Sequence, residues 1–257
     1  MLDQKNIARK IIFFVALIAA WQLLAASGIA PEYIFPSPVG VAQTLARGFA
    51  NGTFLIGVAT SLQRLLVGFA ISAGAGVLLG LALGRIKLLD ETVGALVLGL
   101  QALPSICWLP LAVLWFGLSE SAILFVVVMG ALLSITLATE AGIKNTPPLY
   151  LRAARNLGAR GWKLYALVIL PAALPAIITG MKLGWSFAWR SLMAAELLSA
   201  SLSWGLGHLL SFGRDLNDMN QVVAVMLLII AIGLVVDRAL FAPLEARVRE
   251  RWGLGAQ

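Results

Sequence analysis

Apolar residues dominate long stretches of the chain, and the charged residues gather in short stretches between them. A helix needs about 20 mostly apolar residues to cross the hydrocarbon core of a bilayer. Six stretches approach or reach this length, at about residues 11–26, 65–83, 93–116, 121–139, 174–198 and 222–240. The pattern predicts an all-α, polytopic membrane protein with about six transmembrane helices.

Glycines and prolines give two of the predicted spans a distinct character. The second span contains Gly76 and Gly80, a small-residue pair four positions apart that lets the backbones of two helices approach closely. The third span contains Pro104 and Pro110. Prolines free backbone carbonyl groups inside a membrane, which is tolerated only against protein or a wet cavity. We therefore expect the second and third spans to pack inside a bundle.

The composition excludes a soluble domain. Only 12% of the 257 residues are charged and 60% are hydrophobic, whereas about a quarter of the residues of a soluble globular protein are charged. The formal net charge of +7 is distributed as expected for contact with anionic membrane lipid, and we expect no nucleic-acid partner.

Few residues could carry catalysis or hold a cofactor. Cys107 is the only cysteine, and the only histidine, His208, has no second His or Cys at metal-ligand spacing. The chain lacks the Gly-x-x-x-x-Gly-Lys-Ser/Thr loop that holds nucleotide phosphates. We therefore expect no metal site, no cofactor in this chain and no enzyme activity of its own.

The distribution of Lys and Arg predicts how the chain is oriented. With six spans, both termini lie on one side, and fourteen basic residues fall on that side. Only Arg47 and Arg214 fall on the other side. Because Lys and Arg concentrate in cytoplasmic loops, both termini are predicted to be cytoplasmic.

The most polar connection, residues 144–171, lies between the predicted fourth and fifth spans. Thr146 is a candidate N-cap, and Gly158 is placed to end a short helix that starts shortly after it. Ala153 and Ala154 would give this helix a small face that another protein could approach. Two interpretations stay open at this point, a solvated connector and a docking element for a partner.

The same loop resembles the cytoplasmic motif of bacterial ABC importer permeases, which reads Glu-Ala-Ala, three residues, Gly, nine residues, Ile, one residue, Leu-Pro. Arg152 stands where the family has Glu, which reverses a charge, and Val168 replaces Ile. The resemblance implies the fold of a type I ABC importer permease and a coupling helix that sits in a groove of an ATPase subunit. The coupling residues it implies are Arg152, Ala153, Ala154, Leu157, Gly158, Leu170 and Pro171.

Three shorter strings resemble one branch of this family, which imports nitrate, aliphatic sulfonates, taurine or bicarbonate. They are FPSP at residues 35–38, LWFG at 114–117 and AAE at 194–196. The implied function is a multi-pass permease subunit that moves a small organic or inorganic anion across the inner membrane of a bacterium. The implied partners are two ATP-binding subunits that hold ATP and Mg, a periplasmic or lipid-anchored substrate-binding protein and a second copy of the chain.

We expect residues 1–257 to form a single transmembrane permease domain. Its first span is predicted at about 11–26 and its core spans within 65–240, with the coupling loop at about 144–171. A basic amphipathic tail, residues 243–257, is expected to lie along the inner membrane surface. The polar segment 199–220 would then face the periplasm and the binding protein.

Charged residues inside the predicted spans are candidates for a substrate pathway, because a charge in a bilayer is costly unless it faces protein or water. Lys182, Ser186 and Arg190 are spaced by four and share one arc of a helix, with Glu196 near that arc. Arg64 lies at the margin of the second span. A purely structural alternative stays open, in which Lys182 reaches the inner surface and Arg190 pairs with Glu196 or with a carbonyl.

Two other function classes were weighed against an ABC permease. A self-contained secondary transporter would use intramembrane charges for ion coupling and often shows inverted repeats, and no convincing internal repeat is visible in the sequence. A membrane-embedded enzyme would need clustered His, Asp or Glu, whereas this chain has one His and scattered acids.

Overall fold

The computed structural model describes residues 4–29, 31–198 and 204–251, and nearly all of them are helical. The helices are α1 (Gln4–Ala26), α2 (Pro38–Ala50), α3 (Thr53–Arg85), α4 (Lys87–Gln101), α5 (Ser105–Phe116), α6 (Glu120–Lys144), α7 (Pro148–Asn156), α8 (Trp162–Leu198), α9 (Leu206–Asp215), α10 (Met219–Val236) and α11 (Ala242–Arg251). A wider helical turn at Asp237–Phe241 joins α10 to α11 without interruption.

Within the described ranges, five helices are long and apolar enough to cross a membrane. They lie in α1, α3, α6, α8 and the continuous helix that starts with α10. The bent pair α4 and α5 raises the number to six if it forms one span. The predicted all-α membrane protein with about six spans is confirmed.

The third span is broken. The axes of α4 and α5 enclose 105°, so the helix predicted over residues 93–116 is interrupted in its middle. The break lies directly before Pro104, because proline has no N–H to donate and disfavours a helical conformation in the residue before it. Ala102 and Leu103 end α4 in a tight turn. Pro110 causes no second break, since it lies in the first turn of the α-helical part of α5.

Helix α6 is the centre of the bundle and packs between α3 and α8. Gly68 of α3 faces Val127 of α6, and further along both helices Gly80 faces Thr136, so the two helices run in the same direction. The contacts between α6 and α8 run in the opposite order, which makes that pair antiparallel. The chain must therefore cross back to the starting end of the bundle between α3 and α6. The bent pair α4 and α5 makes this crossing.

Small residues make the contact between α3 and α6 possible. A Cβ atom on Gly80 would lie 2.6 Å from the carbonyl oxygen of Thr136, and a Cβ atom on Gly76 would lie 3.0 Å from that of Leu132. Both distances are shorter than a normal carbon–oxygen contact, so a side chain at Gly80 would clash with the backbone of α6 and one at Gly76 would push the helices apart. The predicted close packing through this pair is confirmed.

Two spans begin earlier in the chain than their apolar runs indicated. Helix α3 starts at Thr53 instead of near residue 65, and α8 starts at Trp162 instead of near residue 174. The added turns are stabilised by buried contacts, such as those of Phe54 in α3 and Leu164 in α8. A hydropathy pattern does not report such contacts, because it measures only the local apolar content.

The last two helices pack against the bundle. Glu245 of α11 accepts a hydrogen bond from Lys182 of α8 at 3.2 Å. Helix α11 is the described part of the predicted tail 243–257, whose residues 252–257 lie outside the described ranges. In the polar segment 199–220, residues 199–203 are also outside them, and α9 occupies most of the remainder.

Candidate functional site

The predicted coupling loop contains the helix α7, as expected, but its first residue is not capped as predicted. Pro147 occupies the N-cap position, and its side chain accepts no hydrogen bond from the first turn of the helix. The hydroxyl of Thr146 donates instead to the carbonyl of Gly142, one turn back in α6. The prediction of Thr146 as N-cap is therefore wrong, because its hydroxyl is used by the preceding helix.

The end of α7 follows the prediction. Gly158 has a φ of +83°, in the left-handed region that side chains with a branched Cβ rarely adopt. Its N–H donates to the carbonyl of Arg155 at 3.0 Å, and the N–H of Ala159 donates to that of Ala154 at 2.9 Å. These two bonds form a Schellman motif. The predicted helix stop at Gly158 is confirmed.

The two alanines of the motif do not share a face. Ala154 is buried in an apolar cluster with Ile143 and Leu164, whereas Ala153 is exposed. Consecutive residues point about 100° apart on a helix. When Ala154 faces the bundle, Ala153 must therefore point elsewhere. The expectation of one small face formed by both is wrong, and Ala154 instead seats α7 on the bundle.

The outer surface of the loop combines apolar and basic side chains. Leu157 is 88% exposed and Leu149 is 71% exposed. Arg152 and Arg155 of the same short helix are also exposed. Large exposed apolar groups next to charges are typical of a protein-binding surface. We call the exposed side chains of residues 149–163 the α7 surface.

Leu170 and Pro171, the last residues of the predicted motif, are not in the loop. Both lie within α8 and are half-buried, and Leu170 packs against the apolar cluster that holds Ala154. The motif therefore has two parts. One part is exposed in α7, and the other lies in α8 and packs against the apolar cluster on which α7 rests.

A buried ionic cluster lies at the opposite end of the bundle. The guanidinium of Arg64 on α3 donates to Glu196 of α8 at 2.6 Å and to Glu120 of α6 at 2.5 Å. The side chain of Glu196 is 1% exposed and that of Arg64 is 7% exposed. This cluster connects α3, α6 and α8 through ion pairs.

The same cluster holds the start of α9. The hydroxyl of Ser61 donates to the Glu196 carboxylate at 2.8 Å and accepts the N–H of Leu206 at 2.9 Å. The N–H of Gly207 donates to Glu196 at 2.9 Å. A Cβ atom on Gly205 would overlap the carboxylate itself. Glu196 thereby satisfies backbone donors at the N-terminus of α9 and fixes that helix against α3 and α8.

The structure separates two residues that could have formed a pair. Arg190 and Glu196 are six positions apart on α8, which places them on faces about 120° apart. The Nε of Arg190 donates to the carbonyl of Ser186 at 3.1 Å, and its guanidinium lies 4.9 Å from the centre of the Phe187 ring. Glu196 instead pairs with Arg64. The expected pairing of Arg190 with Glu196 is therefore wrong, whereas the expected bond from Arg190 to a carbonyl is confirmed.

Lys182 is also paired. Its ammonium lies 3.1 Å from a carboxylate oxygen of Asp237 and 3.2 Å from one of Glu245. Both acids belong to the end of the chain, so this contact fastens α11 to α8. This contact could not be predicted, because both partners lie more than 50 residues further along the chain and sequence separation does not report distance in space.

Two cavities lie beside the middle of α8. The first, of about 490 Å³, is bounded by the break in the third span, by α6 around Met129 and by Phe187 and Arg190 of α8. The second, of about 420 Å³, lies between α8 and α10 and is lined by Lys182, Ser186 and Arg190 among others. The predicted stripe of three polar residues thus borders one cavity, and Arg190 borders both.

Arg64 and Glu196, the other two predicted pathway residues, lie in the buried cluster and line neither of these cavities. Sequence reasoning did not single out Ser61, Glu120 or Gln101. Ser119 before Glu120 was a usable signal, because a serine followed by an acid commonly starts a helix, as it does in α6. Among the described residues, no group of three His, Cys, Asp or Glu side chains could hold a metal ion.

A bundle of membrane-length helices with a broken third span, cavities beside α8 and an exposed basic helix at one end has the features of a membrane permease. The chain belongs to the family described as the binding-protein-dependent transport system inner membrane component, whose family model matches residues 72–250.

Similar proteins agree with this assignment. The aliphatic sulfonates transport permease protein SsuC of Escherichia coli is 34% identical, over 93% of this chain and 89% of the relative. The nitrate import permease protein NrtB of Leptolyngbya laminosa is 29% identical, over 95% and 88%. The taurine transport system permease protein TauC of Escherichia coli is 27% identical, over 88% and 83%.

Solved structures show the same fold. A chain from an amino acid ABC transporter crystallised with histidines has a TM-score of 0.63 and 18% identity, covering 80% of this chain and 97% of that one. A chain of the MetNI methionine ABC transporter in an inward-facing conformation has a TM-score of 0.57 and 19% identity, with coverages of 73% and 94%. The predicted type I ABC importer permease fold is confirmed.

The family also decides between the function classes. The chain is a non-catalytic permease subunit of an ABC importer, as predicted, and neither a self-contained secondary transporter nor a membrane-embedded enzyme. The predicted resemblance to the nitrate, sulfonate and taurine branch is confirmed by the relatives that match over most of the chain.

Proposed function

We propose that two copies of this chain form the membrane channel of an importer for a small anion in a bacterial plasma membrane. Both termini would lie in the cytoplasm, where two ATPase subunits bind the α7 surfaces and supply ATP and Mg. A periplasmic or lipid-anchored binding protein would deliver the substrate to the end that carries α9. The ATPases drive the cycle only if they bind one conformation of the permease more tightly than the other.

The α7 surface is the feature that supports the position of the ATPases. It lies at the end of the bundle where α3 ends at Arg85, α4 begins at Lys87 and α6 ends at Lys144, as expected for a cytoplasmic face. Its exposed Leu149 and Leu157 would be buried in a groove of the partner, and Ala154 fixes the helix so that a movement of the partner is transmitted to α8.

Gly158→Val is expected to reduce the ATPase copurified with the permease by about tenfold, equivalent to 1.4 kcal/mol. A branched side chain at a φ of +83° is strained by about 1–3 kcal/mol, which would shift the end of α7 and with it Leu157. Open space surrounds the position, so valine meets no clash and the bundle should still fold. The measurement is affinity purification of the tagged permease followed by quantification of the bound ATPase.

The matched control is Gly158→Asn, because asparagine tolerates the left-handed conformation far better than valine. It should copurify with the ATPase almost as well as the natural protein. If the valine variant recovers as much ATPase as the asparagine variant, the α7 surface does not form the ATPase contact.

Arg190 supports an anionic substrate. It is the only charged residue among those that line the first cavity, and no carboxylate lies with it there. A guanidinium can donate paired hydrogen bonds to two oxygens of a nitrate, carboxylate or sulfonate. The names of SsuC, TauC and NrtB refer to aliphatic sulfonates, taurine and nitrate, which all carry such oxygens.

Arg190→Gln is expected to lower the kcat/KM for anion uptake at least tenfold, because a hydrogen bond to a charged group contributes about 1.5–3 kcal/mol. Uptake would be measured in vesicles that contain the complete transporter. Arg47→Gln is the matched control, since the Nε of Arg47 also donates to a carbonyl four residues back, while Arg47 lines neither cavity. Normal uptake by a well-assembled Arg190→Gln transporter would remove Arg190 from the pathway.

A further inference from the structure

The cavity at the break in the third span has two chemically different parts. Its one charged group is Arg190, on α8. Most of the rest of its wall is apolar, and the large apolar side chains are those of Leu103, Ile106, Trp108, Met129, Leu133 and Phe187. The other polar side-chain groups among the lining residues are those of Gln101 and Ser105 and the indole N–H of Trp108.

Gln101 is already partly engaged. Its amide nitrogen donates to the hydroxyl of Ser134 on α6 at 3.0 Å. This bond fixes the end of α4 beside α6 and leaves Arg190 as the main hydrogen-bond donor for a guest in the cavity. Arg190 is itself exposed, and its Nε is held by Ser186, so its terminal nitrogens are positioned by the backbone of α8.

A small inorganic anion does not match this wall. Nitrate exposes three oxygens in water, and burying such oxygens against apolar groups without hydrogen bonds costs free energy. An organic anion matches both parts, because its acidic group can pair with the guanidinium while its apolar body replaces water along the wall. Each methylene removed from water contributes about 0.8 kcal/mol.

We propose that this cavity is a binding site within the permease for an organic anion, a sulfonate or carboxylate whose apolar body lies against the break in the third span. The permease itself would then discriminate between anions by the length of their apolar part, in addition to any selection by the binding protein. This inference rests on the proposed anion transport and narrows its substrate class.

The break in the third span is what creates the apolar part. A straight helix over residues 93–116 would turn only one face toward α6 and α8. The bend at Pro104 lets the six consecutive residues 101–106 all line one cavity, whereas successive residues of a straight helix point about 100° apart. Ile106 thereby becomes a specificity-determining residue of the site.

The test is direct binding to the complete transporter in lipid nanodiscs, without nucleotide or binding protein, measured by isothermal titration calorimetry. The probes are nitrate, methanesulfonate, propanesulfonate, pentanesulfonate and pentylammonium, with empty nanodiscs subtracted. The affinity is expected to rise about fourfold per methylene along the sulfonates. Nitrate should bind more weakly than propanesulfonate, and pentylammonium should not bind.

Two variants separate the parts of the site. Arg190→Gln should lower the affinity for all three sulfonates by a similar factor of at least ten. Ile106→Ser should leave methanesulfonate nearly unchanged and weaken pentanesulfonate. The matched control is Leu114→Ser on the same helix α5, because Leu114 is 78% exposed and does not line the cavity.

The outcomes distinguish this inference from the proposed function. If nitrate binds as tightly as pentanesulfonate, or if the affinity does not depend on chain length, the organic-anion site is wrong while anion transport stands. If pentylammonium binds as well as pentanesulfonate, the apolar wall does not select anions and the site is also wrong. If no anion binds or is transported, the proposed function fails as well.

Discussion

Arg64→Met is expected to destabilise the folded permease by about 3–5 kcal/mol, because it leaves the carboxylate of Glu196 buried without its cation. The carboxylate is 1% exposed and cannot regain water without moving α9. The expected readouts are a large loss of protein from the membrane fraction and a lower Tm of the purified remainder in detergent.

Lys87→Met is the matched control, since it also replaces a basic residue of an ion pair by methionine. The pair of Lys87 with Glu91 spans 3.5 Å, and its lysine is 87% exposed. Exposed pairs contribute little to stability, so the Tm should hardly change. If the two methionine variants have the same Tm, the buried cluster does not hold the end of the bundle together.

A double-mutant cycle between Arg64→Met and Glu196→Met gives a further check on the contact. Residues in one hydrogen-bonded network lose stability non-additively, and couplings of about 0.5–3 kcal/mol are expected. Glu196→Met also leaves the N–H of Gly207 and the hydroxyl of Ser61 without their acceptor, so this single variant should be destabilised too. Additive losses would show that Arg64 and Glu196 act independently.

The position of this cluster could not be predicted from the sequence. Arg64 is 56 residues from Glu120 and 132 residues from Glu196. The apolar run placed the start of the second span just after Arg64, which made that residue look like a boundary charge. Only the order in which the helices pack brings the three side chains together, and hydropathy and periodicity do not determine that order.

Features that depend on local chemistry were predictable. The stop at Gly158 follows from the conformation that glycine alone adopts easily, and the close contact at Gly76 and Gly80 follows from the absence of a side chain. The three polar residues of α8 share one cavity because their spacing of four sets their common face.

Features that depend on contacts between distant parts of the chain could not be predicted from the sequence. Ala154 is buried and Ala153 is exposed because the apolar cluster with Ile143 and Leu164 lies on only one side of α7. Pro104 signalled a disturbed helix, but the angle of 105° depends on how α4 and α5 pack against α6. A proline shows where a helix can break, whereas its tertiary contacts decide how far it bends.

Gly80→Ala is expected to destabilise the bundle by at least about 1–3 kcal/mol, because α3 and α6 have no space for one methyl group. The added Cβ atom would lie 2.6 Å from the carbonyl oxygen of Thr136 and 2.6 Å from the Cβ atom of Thr139. A backbone oxygen cannot turn away as a flexible side chain can, so the two helices must separate along their contact.

The control lies on the same helix. A Cβ atom on Gly74 would meet no atom within 4 Å, so Gly74→Ala adds the same methyl group without a clash. Alanine also favours a helix over glycine by about 1 kcal/mol, which should make this variant equal to the natural protein or slightly more stable. Measured side by side in one detergent, the Tm of Gly80→Ala should therefore fall, whereas that of Gly74→Ala should stay the same or rise slightly. If the Gly80→Ala protein is as stable as the Gly74→Ala protein, α3 and α6 do not meet at Gly80. The parallel packing of these two helices would then be wrong.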